Sequence, residues 1–191
     1  MNPIICVAGP TASGKTDFAV ALAKELNGEV VSCDSMQIYR RMDIGTAKPT
    51  KEEMQGIKHY LIDEVSHFES FDVSVFTELA KKYIEEITAK GKIPIVAGGT
   101  GLYVDSLLGG IDFGFVPDNG DMREKLRVRL ENEGAEKLLS ELREIDPETA
   151  GMLHVNNTGR IMRALEVYYL TGETISAQKI KSREKGSDFD V

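Results

Sequence analysis

A glycine-rich stretch close to the N-terminus determines much of what the chain can fold into. Residues 9–16 read GPTASGKT and match the pattern G-x-x-x-x-G-K-[ST], with an apolar run before them and helically spaced apolar residues after them. At the end of a strand, such a stretch wraps backbone N–H groups around a phosphate at a helix N-terminus. The sequence therefore predicts a strand, a phosphate-binding loop and a helix. The loop consists of Gly9, Pro10, Thr11, Ala12, Ser13, Gly14, Lys15 and Thr16.

This phosphate loop predicts a ligand that carries a diphosphate. Lys15 is expected to reach the outer phosphate, and the Thr16 hydroxyl is expected to bind Mg²⁺. The loop recognises phosphates and does not identify the rest of the ligand.

Strand-like and helix-like segments alternate through the first half of the chain. The apolar patterns predict strands at residues 3–8, 29–33 and 59–65 and from residue 93, and helices at residues 14–26 and 73–90. Residues 34–50 have no clean period and are predicted to be a loop. Alternation of this kind is typical of a parallel sheet with helices on both faces. The expected fold class is α/β, with a P-loop NTPase-like doubly wound parallel sheet.

The pattern changes after about residue 110. Residues 122–146 predict two charged helices with a break near Gly134, and residues 159–172 predict another helix. No strand is expected between residues 115 and 185, whereas the last residues, DFDV, resemble the start of one. We therefore predict a P-loop α/β core at residues 1–112, a helical insertion subdomain at 113–185 and the start of a return to the core at 186–191. On this interpretation the chain is cut short.

Two further loops are expected beside the phosphate loop. Asp34–Gln37 follows the second predicted strand, and Gly98–Gly101 follows the fourth. Because the carboxyl ends of parallel strands meet at one edge of a sheet, these loops should surround one crevice. Asp34 could be a general base, a metal ligand or only a turn or helix cap. The glycine-rich loop could be part of the site or a plain strand-to-helix turn.

Composition limits where the protein works and what it binds. No apolar run reaches the length of a membrane span, and no secretion signal is evident, so we expect a cytoplasmic protein without a membrane partner. Cys6 and Cys33 are then expected to be buried, reduced thiols. The net charge of −8 disfavours broad nucleic-acid binding but leaves a local basic groove possible.

Basic residues in the helical region offer two interpretations. A small P-loop kinase would carry an arginine-bearing lid, and most charged helix faces are simply solvated. Arg160 and Arg163 are spaced to share a helix face, which suits a phosphate backbone or a diphosphate. Residues 179–185 add a basic patch that suits RNA. The arginines of this region include Arg123, Arg127, Arg129, Arg160 and Arg163.

Several stretches together resemble one family, the bacterial tRNA dimethylallyltransferases, also called tRNA isopentenyltransferases. These stretches occur in the family's order over about residues 3–170, and they read GPTASGKT, DSMQIYRRMDIGTAKP, HYLIDEV, GGTGLY and RIMRALEV. The resemblance implies transfer of a dimethylallyl group from dimethylallyl diphosphate to N6 of the adenosine next to the anticodon in tRNA. It also implies Mg²⁺ as cofactor and a flipped-out acceptor base. We expect a monomer.

The resemblance also implies roles for residues. The phosphate loop would hold the diphosphate, with Lys15 in a catalytic role and Thr16 on Mg²⁺. Asp34 would be the general base and Thr100 would contact the adenosine or the reacting centre. The helical subdomain would bind tRNA. The residues implied in tRNA binding are Asp34, Ser35, Met36, Gln37, Thr100, Arg123, Gly159, Arg160, Ile161, Met162 and Arg163.

Some positions depart from the family. Arg41 stands where the family usually has glycine, Asn157 stands where it usually has aspartate, and the family's chains are longer. Three other functions therefore remain open: prenyl transfer to free adenine nucleotides, a small P-loop kinase, and a noncatalytic phosphate-binding protein.

Overall fold

A computed structural model describes residues 2–109, 120–185 and 189–191. This described part divides into two compact units, one made of residues 2–109 with 189–191 and the other of residues 120–185. The predicted domain boundaries, at residues 112–113 and 185–186, adjoin or fall in stretches outside the described residues. No helix in the described ranges is both long and apolar enough to cross a membrane.

The first unit is built on parallel strands. Four of them, among the described residues, form one sheet in the spatial order β2-β5-β3-β4, and β1 pairs with β6. The predicted α/β class with a parallel sheet is confirmed. The strands are β1 (Asn2–Pro3), β2 (Ile5–Ala8), β3 (Gly28–Ser32), β4 (His59–Tyr60), β5 (Ile93–Gly98) and β6 (Phe189–Asp190).

Helices cover both faces of this sheet. On one face, Ala19 and Ala23 of α1 pack on Val30 and Ile95. On the other face, apolar residues of α3 and α4 pack on Val31 and Val96, the neighbouring positions of the same strands. Since successive side chains of a strand point to opposite faces, one short apolar strand serves both layers. The helices are α1 (Lys15–Glu25), α2 (Lys51–Met54), α3 (Val73–Ala89) and α4 (Gly101–Leu108).

The predicted strand at residues 59–65 is wrong beyond Tyr60. Leu61 and Asp63 have φ angles of 60° and 57°, so the chain turns instead of continuing along the sheet. The backbone donors of this turn are satisfied by the loop after β3, because Glu64 N donates to Ile38 O at 2.8 Å. Among the residues of the predicted strand beyond Tyr60, Val65 forms an isolated β-bridge with Tyr39.

The second unit is helical, and no strand occurs within residues 120–185; residues 115–119 of the strand-free prediction lie outside the described part. The predicted break near Gly134 is confirmed, with a φ of 82° between α5 and α6. The unit has its own apolar core, which includes Leu138, Leu142 and Leu165. Its helices are α5 (Gly120–Glu133), α6 (Ala135–Ile145), α7 (Pro147–Gly151), α8 (Thr158–Thr171) and α9 (Ile175–Lys185).

Candidate active site

Three loops of the first unit meet at the carboxyl edge of the sheet. Strand β5 lies between β2 and β3, and its pairs Ala8–Gly98 and Ser32–Ala97 bring the three strand ends level. The phosphate loop, the loop that begins at Cys33 and the turn at Gly99 leave from these ends. The strand order thus brings together the three loops that the sequence placed around one crevice.

The phosphate loop ends in an open helix N-terminus. Gly14 takes a left-handed φ of 78°, and no described side chain caps α1, so the first-turn N–H groups have no side-chain acceptor in the described part. The Lys15 ammonium lies back across the loop, where it donates to Pro10 O and lies 3.5 Å from Ser13 Oγ. A free helix N-terminus beside a lysine suits an anion.

A cleft of about 440 Å³ opens between these loops. Its lining contains most of the site residues predicted in the first unit, together with Gly98 and Gly99 of the predicted glycine-rich loop, but omits Gly9, Pro10, Ser35 and Thr100. The predicted residues that line the cleft are Thr11, Ala12, Ser13, Gly14, Lys15, Thr16, Asp34, Met36 and Gln37. Sequence reasoning assigned no site role to the other lining residues Asp17, Gly45, Thr46, Ala47, Lys48, Pro49, Glu53 and Ala97.

The two carboxylate oxygens of Asp34 have different surroundings. Oδ1 accepts from Met36 N at 2.9 Å and from Gln37 N at 3.4 Å, which holds the turn after β3. Oδ2 makes no hydrogen bond within the part of the chain that the structure describes. The residue therefore acts as the expected turn cap and still offers one oxygen to a ligand.

Thr100 joins the β3 loop to the β5 turn. Its backbone N–H donates to Cys33 O at 3.2 Å, and its Oγ1 accepts from Ser35 N at 3.0 Å. This close approach requires Gly98, because a Cβ there would lie 2.1 Å from Cys33 O. Burial of Cys33 at this junction raises the pKa of its thiol, so the thiol is un-ionised. Both cysteines are free.

Gln37 is oriented by hydrogen bonds at both ends of its carboxamide. Oε1 accepts from Ser32 Oγ at 2.9 Å, and Nε2 donates to Ala47 O at 3.0 Å. The second bond connects the β3 loop to the segment 42–49, which we call the cleft wall because its residues 45–49 line the cleft.

Comparison with known proteins places this geometry in a family. The family model described as IPP transferase matches residues 37–191.

The chain belongs to the IPP transferase family. The resemblance found in the sequence motifs is confirmed by relatives of high identity. A tRNA dimethylallyltransferase of Acetivibrio thermocellus is 52% identical over 184 residues, which cover 96% of this chain and 59% of the relative. One from Bacillus cereus is 50% identical over 190 residues, covering 98% and 59%. The chain thus spans about three-fifths of the length of the curated relatives that it matches.

Solved structures of the family share the fold. A full-length tRNA isopentenylpyrophosphate transferase from Bacillus halodurans has 46% identity and a TM-score of 0.60, covering 91% of this chain and 57% of that chain. A eukaryotic dimethylallyltransferase described as acting on tRNA has 30% identity and a TM-score of 0.74, covering 99% of this chain and 47% of that chain.

The donor set of the cleft fits Mg²⁺ in this IPP transferase family member. No cluster of three His, Cys, Asp or Glu side chains suited to a metal occurs among the described residues. Mg²⁺ is usually bound by one or two protein oxygens together with substrate phosphates and water. The half-buried Thr16, in the first turn of α1, supplies such an oxygen beside the phosphate loop.

The candidate tRNA-binding residues of the helical unit differ in exposure. Arg123, Gly159 and Arg160 are exposed, whereas Ile161 is buried in the helical core with Met162 packed against it. Arg163 Nη1 donates to Glu166 Oε2 at 2.8 Å. The side chain of Ile161 therefore supports the helix and does not face solvent.

Three of the other basic side chains described in this unit, Arg127, Arg129 and Lys181, form ion pairs. Arg127 is in ion pairs with Glu124 and Glu131, and Arg129 is in ion pairs with Glu133 and Glu141. In the predicted basic patch at 179–185, Lys181 pairs with Glu173, and the side chains of Arg183 and Lys185 lie outside the described part. Arg127 and Arg129 thus have local partners on the helices, which favours the solvated-face interpretation over a kinase lid.

Proposed function

We propose that the protein transfers a dimethylallyl group from dimethylallyl diphosphate to N6 of the adenosine adjacent to the anticodon in tRNA. The products are N6-isopentenyladenosine and diphosphate. The observation that carries the proposal is that Lys15, Thr16 and Asp34 line one cleft in a chain of the IPP transferase family. Relatives of about 50% identity named tRNA dimethylallyltransferase support it.

The phosphate loop is proposed to hold the donor diphosphate. Lys15 exchanges its contact with Pro10 O for a phosphate oxygen, and the N–H groups of the first turn of α1 bind the others. Thr16 would hold Mg²⁺, which supplies positive charge that stabilises the leaving diphosphate. These groups neutralise negative charge that develops as the allylic C–O bond breaks, so the phosphate loop serves a leaving group.

Asp34 is proposed as the general base of the reaction. The exocyclic amine of adenine is a poor nucleophile, because its lone pair is delocalised into the ring, and it needs a base and accurate placement. Oδ2 of Asp34 accepts the N6 proton while Oδ1 keeps the turn in place. Met36 and Gln37 would contact the acceptor base in the cleft, with Ser35 and Thr100 at its edge.

The helical unit is proposed to bind the tRNA through Arg123 and the segment 159–163. Arg160 and Arg163 would contact phosphates, while Gly159, Ile161 and Met162 shape the segment. In this proposal residues 1–112 are the catalytic core and 113–185 the tRNA-binding insertion, with residues 186–191 returning to the core. The protein would act as a monomer in the cytoplasm.

A pair of calorimetric titrations in Mg²⁺ tests the donor, one with dimethylallyl diphosphate and one with ATP. Tighter binding of the prenyl diphosphate is expected, and Lys15→Met should weaken it by at least about tenfold, since a charge-assisted contact to phosphate is lost. Tight ATP binding without prenyl diphosphate binding would instead favour a kinase.

The acceptor is tested separately by offering tRNA, AMP and ATP with labelled donor. Label in tRNA alone is expected. Transfer to the free nucleotides in preference to tRNA would assign the protein to the nucleotide-prenylating alternative. Donor binding without any transfer would favour the noncatalytic alternative.

A further inference from the structure

Lys48 lines the cleft together with Lys15, yet its ammonium is fully used within the protein. Nζ donates to Asp63 Oδ1 at 2.6 Å, to Asp43 Oδ1 at 2.8 Å and to Tyr39 O at 2.8 Å. Its side chain is only 5% exposed. An ammonium group has three donors, so these three acceptors leave none for a phosphate.

The charge of Lys48 is also neutralised. Burial alone lowers the pKa of Lys48, but the hydrogen bonds and charges of Asp43 and Asp63 outweigh it and raise the pKa. The lysine is therefore charged at neutral pH, and two carboxylates more than offset its single charge. Lys15, by contrast, has only neutral oxygens as hydrogen-bond partners.

The three acceptors belong to different parts of the first unit. Tyr39 belongs to the loop after β3, Asp43 belongs to the cleft wall, and Asp63 belongs to the turn after β4. That turn is itself held, because Arg40 Nε donates to Asp63 O at 2.9 Å. Lys48 therefore fastens the cleft wall to two segments that are already fixed to the sheet.

The fastened wall in turn orients Gln37. Ala47, next to Lys48 in the chain, accepts from Gln37 Nε2 at 3.0 Å, while Ser32 Oγ holds the opposite end of the carboxamide. Release of Lys48 would free residues 42–49 and remove one of the two fixed points of the Gln37 amide.

We propose that Lys48 is a positioning residue for the acceptor side of the cleft, which fastens residues 42–49 and orients Gln37, and that it binds no phosphate. The inference rests on the proposed function, because that function defines which side of the cleft binds the donor and which binds the acceptor. The part that concerns the cleft wall rests on the contacts alone.

Lys48→Met and a control variant test whether the charge of Lys48 binds phosphate. In Lys48→Met, the exposed Asp43 and Asp63 stay hydrated, so the variant is expected to fold. Its affinity for dimethylallyl diphosphate in Mg²⁺ should stay within about threefold of the parent, whereas Lys15→Met loses at least about tenfold. A loss in Lys48→Met as large as that in Lys15→Met would make Lys48 a phosphate ligand and overturn the proposal. Lys51→Met, at an exposed lysine of α2, is the matched control.

Backbone ¹⁵N order parameters of the unliganded chain test the wall without any substrate. Those of residues 42–48 should fall from about 0.85 to below about 0.6 in Lys48→Met and stay unchanged in β5 and in Lys51→Met. Unchanged order parameters in residues 42–48 would refute the inference. If Lys48→Met does not fold, Asp63→Ala removes one acceptor of Lys48 and should give a smaller fall in the same segment; no fall there refutes it equally.

Transfer kinetics test the connection to Gln37. Lys48→Met and Gln37→Ala should each raise the KM for tRNA by about tenfold with an unchanged KM for the donor, and the double variant should be no worse than the worse single one. Multiplying effects would show that Lys48 does not act through Gln37. If the parent binds no prenyl diphosphate, the proposed function fails, and the order parameters of residues 42–48 still decide the role of Lys48.

Discussion

At the scale of single residues, the two carboxylate oxygens of Asp34 are proposed to have separate roles. In Asp34→Asn the amide Oδ1 can still accept from Met36 N, so the turn and donor binding should be nearly intact. The amide cannot take a proton from N6, so transfer should fall by about 10²-fold or more, the scale of a lost general base. Calorimetry with the donor and single-turnover transfer to tRNA measure the two effects. Transfer at the parent rate would remove Asp34 from the mechanism.

Arg41 is a residue whose backbone conformation conflicts with its side chain. It has a φ of 64°, and it stands where the resembled family usually has glycine. A Cβ in this conformation costs about 1–2 kcal/mol of stability. Glycine avoids that cost, but its more flexible unfolded chain lowers stability by about 0.5–1 kcal/mol. Arg41→Gly should therefore stabilise the protein by about 0.5 kcal/mol, measured by urea unfolding.

The opposite substitution is available as a control. Gly91 has a φ of 69° and open space around its missing side chain. Gly91→Ala should destabilise the protein by about 1 kcal/mol, because it places a Cβ in the same left-handed conformation from which Arg41→Gly removes one. Shifts of the same sign in the two variants would contradict this account of Arg41.

At the scale of elements, Gly98 lets β5 end against β3. A Cβ would lie 2.1 Å from Cys33 O, which is backbone and cannot rotate away. Gly98→Ala should therefore separate the strand ends and destabilise by about 3 kcal/mol. Gly101→Ala is the control, since nothing lies within 4 Å of a Cβ there and alanine favours the first turn of α4. Equal urea midpoints for the two variants would mean that the close approach is not needed.

Asp146 links two helices of the second unit. Its buried carboxylate accepts from Thr149 N at 3.0 Å in α7 and from Ser176 N at 3.1 Å in α9. Burial by itself raises the pKa of Asp146, but these hydrogen bonds outweigh it and hold the pKa below the ordinary 3.8. Since the folded value is the lower one, this stability is fully present above pH 3.8 and is lost as the pH falls further.

Asp146→Asn should accordingly lower the free energy of unfolding by about 1–3 kcal/mol at neutral pH. The variant should also lose less stability than the parent between roughly pH 4 and pH 2. Glu148→Gln, at an exposed acid of α7, should change the free energy of unfolding by less than about 0.5 kcal/mol. Parallel stability–pH curves for Asp146→Asn and the parent would show that the hydrogen bonds do not depress the pKa.

Hydrophobic pattern and turn residues predicted most elements of this fold but not which elements are neighbours. Nothing local in the runs that became β2, β3 and β5 indicates that β5 lies in the middle. The strand predicted through Val65 was wrong because Ile38 O, more than 20 residues away in the chain, accepts from Glu64 N. Lys48 was missed for the same reason, since its partner Asp63 lies beyond β4. The phosphate loop was found because all its groups are consecutive.

At the scale of the whole molecule, the candidate donor site is contained in the first unit, since every described residue that lines the cleft lies between Thr11 and Gly99. A full-length relative shortened to the three-fifths that this chain matches should therefore bind dimethylallyl diphosphate within about threefold of its full-length form, and this chain should bind it similarly. Transfer to tRNA needs additional contacts along the RNA backbone, so the shortened relative should transfer at least about tenfold more slowly. Calorimetry and transfer assays on the three proteins measure this. Equal transfer by the shortened and full-length relative would mean that the matched portion already carries the whole acceptor site, whereas loss of donor binding on shortening would mean that the cleft is incomplete without the rest.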